Sequence, residues 1–167
     1  FRDFETPKGR MRILSGVSAS AIIDDTYNSS PLACVEALKA LGGLSIRGRK
    51  VAVLADMKEL GTDSEKAHRA MGRRAFEYVH TLVTVGDMGR LIAEGAREAG
   101  MANDRIYSYQ TADDAARALV GMVRAGDVVL VKGSQSMRME RVSKALLHDA
   151  SKAGELLVRQ EKEWTVR

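Results

Sequence analysis

The sequence predicts an α/β fold of three layers, a mostly parallel sheet of about six strands with helices on both faces. Three observations carry this. Short apolar runs recur along the 167 residues (Ala21–Ile23, Lys50–Leu54, Thr81–Val85, Val128–Val131), as strands buried on both sides require. Segments with apolar residues three and four apart alternate with these runs, the spacing of a helix face. The turns between them are short and polar, which suits right-handed crossovers between parallel strands.

Each element follows in order. Phe1–Arg10 carries Pro7 and Gly9 and no period, so it reads as a linker into the domain, with Arg10 solvated by default. A start in mid-connection, without Met, reads as a piece of something longer. Met11–Leu14 is a short strand before a turn at Gly16, and Ala21–Ile23 is a second. Asp24-Asp25-Thr26-Tyr27-Asn28-Ser29 then forms a polar turn, with Ser30 as N-cap and Pro31 as first helical residue. Leu32, Val35, Leu38 and Leu41 line a helix over Pro31–Leu41 that Gly42-Gly43 ends. After the strand Lys50–Leu54 comes a loop over Ala55–Gly61, and Ser64 caps a helix through Tyr78 with His68 one turn in. Thr81–Val85 leads through Gly86-Asp87-Met88-Gly89 into a helix to about Ala99. Arg105–Tyr109 is a weaker strand, and Thr111 caps a helix over Ala112–Val123. Val128–Val131, the most apolar run, ends in Lys132-Gly133-Ser134-Gln135-Ser136, before a helix from about Met137 to Leu147 and a charged tail from Ser151. The expected organisation is a linker over residues 1–10 and one Rossmann-like domain over 11–167.

Composition narrows the classes. With 45% hydrophobic and 29% charged residues the chain reads as soluble and folded, with neither an apolar run of membrane-span length nor a signal-peptide pattern. Cys34 is the single cysteine, which excludes an internal disulfide and fits a reducing cytoplasm; packing on the first helix is its expected role. A net charge of +4 with few aromatics and no dense Lys/Arg face argues against nucleic acid and suits an anionic small substrate.

In a parallel sheet every strand-to-helix turn lies on one edge, where open α/β sheets place their ligands. Asp24–Ser30, Asp56–Glu59, Asp87 and Lys132–Ser136 would therefore share a rim and form a binding surface. Lys132-Gly133-Ser134 fits either a phosphate-binding turn or a plain capping turn. His68 fits a substrate contact or a surface histidine. No Gly-x-x-x-x-Gly-Lys-Ser/Thr loop occurs, His80 and His148 have no partners at metal-ligand spacing, and no nucleophile elbow is present. Neither a catalytic residue nor a metal site is assigned to this chain.

The stretch Asp24-Asp25-Thr26-Tyr27-Asn28-x-x-Pro31 resembles the opening motif of the C-terminal domain of Mur ligases, which build the peptide stem of bacterial cell wall. Val53-Leu54-Ala55-Asp56-Met57-Lys58-Glu59-Leu60-Gly61 with Ser64 and His68, and Val129–Glu140, are similar to later segments of that family. With Gly9-Arg10 the likeness runs from about residue 8 to 147. The Tyr-Asn form is most similar to members adding D-alanyl-D-alanine to UDP-N-acetylmuramoyl-tripeptide. The resemblance implies a bacterial cytoplasmic ligase using ATP and Mg²⁺, in which an acyl phosphate on the tripeptide is attacked by the dipeptide's amine. It also implies that the ATPase loop and the UDP-sugar site lie in two preceding domains, the linker leading from the ATP-binding one. By the same resemblance Arg10 reaches the ATP phosphates, and Asp25, Tyr27, Asn28 and Ser29 contact ribose and base. His68, Lys132 and Ser134 would face the dipeptide. Ser30, Ala55 and Gln135 depart from the family's usual Asn, Gly and Arg. Two rivals remain at this point. One is a sister ligase with another amino-acid substrate, such as a cyanophycin or folylpolyglutamate enzyme. The other is a phospho-receiver domain built on Asp24, Asp25, Asp56, Thr84 and Lys132, although Asp56 comes one strand early and Lys132 precedes Gly rather than Pro.

Overall fold

The structure, a computed structural model, describes residues 6–165, so the first five residues of the expected linker lie outside the described residues. The strands are β1 (Arg12–Ser15), β2 (Ala21–Asp25), β3 (Lys50–Ala55), β4 (Thr81–Val85), β5 (Ile106–Tyr109) and β6 (Val128–Lys132). They form one six-stranded sheet in the order β1-β2-β6-β3-β4-β5. Only the edge strand β1 runs antiparallel, against β2; the other neighbours are parallel. The longer helices are α1 (Pro31–Gly42), α2 (Ser64–Tyr78), α3 (Gly89–Glu98), α4 (Ala112–Met122) and α5 (Glu140–Leu146). No helix among the described residues is long and apolar enough to cross a membrane.

Strand alternation builds the three layers. Val51, Val53 and Ala55 of β3 pack with Val129 and Val131 of β6 against Ala115 and Leu119 of α4 and Val142 and Leu146 of α5. Ala52 and Leu54 join Leu130 on the opposite face, against Leu38 and Leu41 of α1, Met71 of α2 and Ile92 of α3. Cys34 sits in this second cluster, 2% exposed, and burial pushes its thiol up to about 12.

Two caps are as expected from sequence. Ser30 Oγ accepts from the Ala33 amide at 3.3 Å and Thr111 Oγ1 from the Asp114 amide at 3.1 Å. Strands β2, β3 and β6 run on to Asp25, Ala55 and Lys132, residues expected in the turns, and two helix starts differ as well. A 3₁₀ turn over Gly61–Asp63 runs straight into α2, so Ser64 is its first residue rather than its cap, and its carbonyl takes a hydrogen bond from the His68 ring instead. Before α5, Gln135–Met137 makes a 3₁₀ turn and Arg138 is left-handed (φ 55°), so the helix begins at Glu140, three residues later than its apolar pattern suggested. The tail adds single helical turns over Ala153–Leu156 and Lys162–Thr165.

The amino-terminal rim of the sheet is closed by its own chain. The Asp127 carboxylate, just before β6, accepts from the Arg49 backbone amide at 2.8 Å and guanidinium at 2.6 Å, and from the Arg124 amide at 2.9 Å. Burial alone would raise its pKa; these bonds outweigh burial and hold it below the ordinary range.

Helices α2 and α3 touch at two glycines. A Cβ on Gly72 would lie 1.8 Å from the Ile92 carbonyl oxygen, and one on Gly95 2.0 Å from that of Arg69. In an uncrowded helix, alanine in place of glycine gains roughly 1 kcal/mol. Here the methyl meets backbone, so the sign reverses: Gly72→Ala and Gly95→Ala should each lose about 1–3 kcal/mol of stability in chemical denaturation.

Candidate functional site

The carboxyl ends of β2, β6 and β3 lie side by side, and register makes Asp25 and Lys132 direct neighbours. Lys132 is 2% exposed, a burial that an ammonium tolerates only with partners. Its Nζ lies 2.6 Å from Asp25 Oδ2 and donates to the Asn28 carbonyl at 3.0 Å. The other Asp25 oxygen accepts from the Met11 amide at 3.2 Å.

The turn after β2 is held from below. Arg159, buried in the tail, donates to the carbonyls of Thr26 at 3.0 Å and Tyr27 at 2.6 Å. With Lys132 on Asn28, the carbonyls of residues 26, 27 and 28 all meet buried cations. The Tyr27 amide donates to the Gly9 carbonyl at 2.9 Å, and Asn28 Oδ1 accepts from the Ser29 amide at 2.8 Å. The Tyr27 ring is left 45% exposed, with the Arg10 guanidinium 4.3 Å above its centre.

Two clefts open along this rim. One, of about 590 Å³, is lined by Arg10, Asp25, Tyr27, Asn28 and Lys132 together with Ala33 of the first turn of α1. The other, of about 550 Å³, shares Asn28, Ser29 and Ser30 with the first and adds Lys58, Ser134 and Trp164 among its walls. The first joins the exposed Arg10 guanidinium and a helix N-terminus, an arrangement suited to phosphate, with a carboxylate held by Lys132 and suited to ribose hydroxyls and an exposed ring suited to a base.

The expected nucleotide set of Arg10, Asp25, Tyr27, Asn28 and Ser29 is thus brought together. Three other candidate positions lie as follows. Lys132 lies with Asp25 in the first cleft rather than with Ser134 in the second, because strand register pairs it there. His68 does not reach a cleft: it is fully buried, its Nε2 accepting from the Met57 amide at 2.9 Å and its Nδ1 donating to the Ser64 carbonyl at 2.6 Å. It props the loop after β3, so neither the substrate contact nor the surface histidine describes it. The turn at Lys132-Gly133-Ser134 is no phosphate nest, since the Ser134 amide donates to the Asp56 carbonyl at 3.2 Å and Ser134 Oγ accepts from the Lys58 amide at 2.8 Å. The receiver-like set does not gather either. Asp25 pairs with Lys132, but Asp24 accepts from Ser143 of α5, Asp56 holds the Gly89 amide at 3.0 Å, and Thr84 donates to Ser108 at 2.9 Å. Among the described residues no three His, Cys, Asp or Glu side chains stand together as metal ligands.

Arg159 and Trp164 were not found from sequence. The tail has no apolar period, and nothing local marks a buried arginine. Asp24 is a second buried surprise: its Oδ1 accepts from Ser143 at 2.7 Å and Thr26 at 3.0 Å, while Oδ2 has no partner among the described residues. Burial pushes its carboxyl up, against the lowering effect of those two bonds.

Two outcomes are expected. Lys132→Met leaves Asp25 without its cation and should cost about 3 kcal/mol in denaturant unfolding, with the Asp25→Ala/Lys132→Met double variant losing less than the summed single losses. A raised carboxyl stabilises only while protonated, so its contribution is whole below about pH 3.8 and is lost as pH rises through its folded value. Asp24→Asn should therefore match the parent at acid pH and exceed it by on the order of 1 kcal/mol at pH 7, read from melts at both pH values.

Comparison with known proteins places the chain in a family. Residues 9–135 match the family described as Mur ligase, glutamate ligase domain. The UDP-N-acetylmuramoyl-tripeptide--D-alanyl-D-alanine ligase of Bacillus subtilis (strain 168) is 32% identical over 139 residues, covering 83% of this chain and 30% of that protein. The ligase of the same description from Mycobacterium leprae (strain TN) is 35% identical over 158 residues, covering 85% and 30%. The chain thus spans about 30% of the length of these relatives. Among solved structures, the MurF ligase of Thermotoga maritima in complex with ADP superposes with a TM-score of 0.70 at 28% identity, over 92% of this chain and 33% of that one. MurF from Acinetobacter baumannii gives 0.74 at 28%, over 86% and 31%. By the family match over most of its length, and by relatives that agree with it in sequence and in fold, the chain belongs to the Mur ligases, as their C-terminal domain.

Proposed function

We propose that this domain closes over the nucleotide, and delivers the incoming amine, in a bacterial cytoplasmic ligase that adds D-alanyl-D-alanine to UDP-N-acetylmuramoyl-tripeptide for peptidoglycan. The observation that carries the reading is the single cleft in which Arg10, Asp25, Tyr27, Asn28 and Lys132 converge. Two relatives that carry that activity in their names, and the similar structure of a MurF ligase in complex with ADP, support it. In this reading residues 1–10 lead from an ATP-binding domain, and residues 11–167 form the closing domain.

The reaction places the γ-phosphoryl group of ATP on the tripeptide's terminal carboxylate. The free amine of D-alanyl-D-alanine then attacks the acyl carbon, and phosphate leaves. The exposed Arg10 guanidinium reaches the nucleotide phosphates. Asp25, already fixed by Lys132, accepts from the ribose hydroxyls, while Tyr27, Asn28 and Ser29 border the base. Lys132 acts on the nucleotide side by holding Asp25. Ser134 lines the second cleft, where the dipeptide enters, and His68 acts beneath it through the Met57 loop. Mg²⁺ neutralises phosphate charge when bound; the described residues of this chain offer it no ligand set, and the preceding domains would hold it. Closure keeps water from an acyl phosphate that would otherwise hydrolyse.

The test is ligation by the full-length protein with ATP, Mg²⁺, the UDP-tripeptide and a panel of amines. D-alanyl-D-alanine should be the preferred acceptor, and Arg10→Ala should raise the KM for ATP about tenfold, the loss of one charge-assisted contact. Residues 1–167 alone should form no product, lacking a phosphate-gripping loop. Preference for another amine, or ATP-dependent product from the isolated chain, would refute the assignment.

A further inference from the structure

Beyond α5 the chain turns back to the carboxyl rim, and its tail is built into the turn that carries Asp25 and Tyr27. Arg159 is 7% exposed and donates, through one fork of its guanidinium, to the carbonyls of two consecutive residues, Thr26 at 3.0 Å and Tyr27 at 2.6 Å. Glu140, fully buried at the start of α5, neutralises it at 3.2 Å and takes the Arg138 guanidinium on its other oxygen at 2.6 Å. Arg138 in turn donates to the Trp164 carbonyl at 2.8 Å, with its guanidinium 5.3 Å from that ring. The tail also touches the entering chain, where Lys8 donates to the Gly154 carbonyl at 2.8 Å.

Surface needs do not account for this. A guanidinium is taken out of water, a buried carboxylate is supplied to balance it, and Arg159 itself is left-handed (φ 56°), a conformation a non-glycine residue adopts only when its surroundings impose it. What the arrangement achieves is directional. Two carbonyls pinned inward leave the amide planes on either side of Tyr27 with one orientation, so the ring and the neighbouring Asn28 project into the clefts. A planar fork offers two N–H groups at a fixed spacing that matches two consecutive carbonyls, a geometry that the single, shorter-reaching nitrogen of a lysine does not reproduce.

We propose that Arg159 is a positioning residue for nucleotide binding: with Glu140 it fixes the backbone of the Thr26–Asn28 turn, so that Asp25 and Tyr27 are set for ribose and base before the nucleotide arrives. The proposal rests on the reading of this cleft as the nucleotide site.

The experiment compares Arg159→Lys and Arg159→Ala with the parent in the full-length ligase, measuring kcat and the KM for ATP and for dipeptide, alongside thermal melts. Lysine keeps the charge beside Glu140 and so guards against simple unfolding. Trp164 is the single tryptophan of these 167 residues, so subtracting the emission of a Trp164→Phe variant of the full-length ligase isolates its signal and reports whether the tail stays seated. The expected result is an Arg159→Lys variant that melts below the parent but is folded at the assay temperature with parental Trp164 emission, a KM for ATP raised about tenfold, and kcat and the dipeptide KM within about twofold. A KM for ATP within about twofold of the parent in Arg159→Lys overturns the proposal, as does an equal rise in both KM values, which marks a structural role only. A parent ligase whose turnover does not depend on ATP sinks the nucleotide reading itself, and this inference with it, without any variant being needed.

Discussion

The ion pair between Asp25 and Lys132 is the constraint around which this rim is built. Parallel pairing of β2 with β6 puts the two residues at the same level, so their meeting follows from topology rather than from any loop conformation. A lysine at 2% exposure requires its carboxylate, and the spare donor capacity of its ammonium then captures the Asn28 carbonyl. From that point the turn has little freedom. Its remaining carbonyls go to Arg159, its amide at Tyr27 goes to Gly9, and the side chains that are left over define the clefts.

The two rims of the sheet make an instructive contrast. At the amino-terminal rim Asp127 is engaged on both oxygens by Arg49 and Arg124, so the chain satisfies itself. At the carboxyl rim Lys132 and Arg159 are paired but the buried Asp24 Oδ2 is not, among the described residues, and Arg10, the Tyr27 ring and the walls around Ser134 stay open. The departures from the family pattern fall on this open side in different ways. Ser30 serves as the helix cap. Gln135 lines the second cleft, a neutral group where a charge is usual. Ala55 packs against Gly133, where a second Cβ would come within 2.7 Å of the alanine's, so the strand end has room for one methyl and not two.

Most of the architecture could be read from sequence because it is written in local terms. Apolar runs gave the strands, three-four spacing gave the helices, and Ser30 and Thr111 capped as their chemistry predicts. The misreadings share a cause. Ser64 has the chemistry of a cap, but a 3₁₀ turn arrives ahead of it. His68 has the composition of a surface residue, but the Met57 loop folds over it. Lys132 sits at a strand end facing solvent in pattern, yet a neighbouring strand 107 residues away supplies its partner. Burial of a polar group is decided by what packs on it, and that information lies far along the chain. Arg159, which reaches back 133 residues to Thr26, is the extreme case.

The depth of Cys34 has a practical side. A lone thiol, sealed under α1 and with its proton held far above neutrality, is invisible to alkylating reagents while the fold persists. Residues 1–167 are therefore already a blank canvas for thiol-directed spectroscopy: one engineered cysteine on the exterior of this domain would be its single reactive thiol.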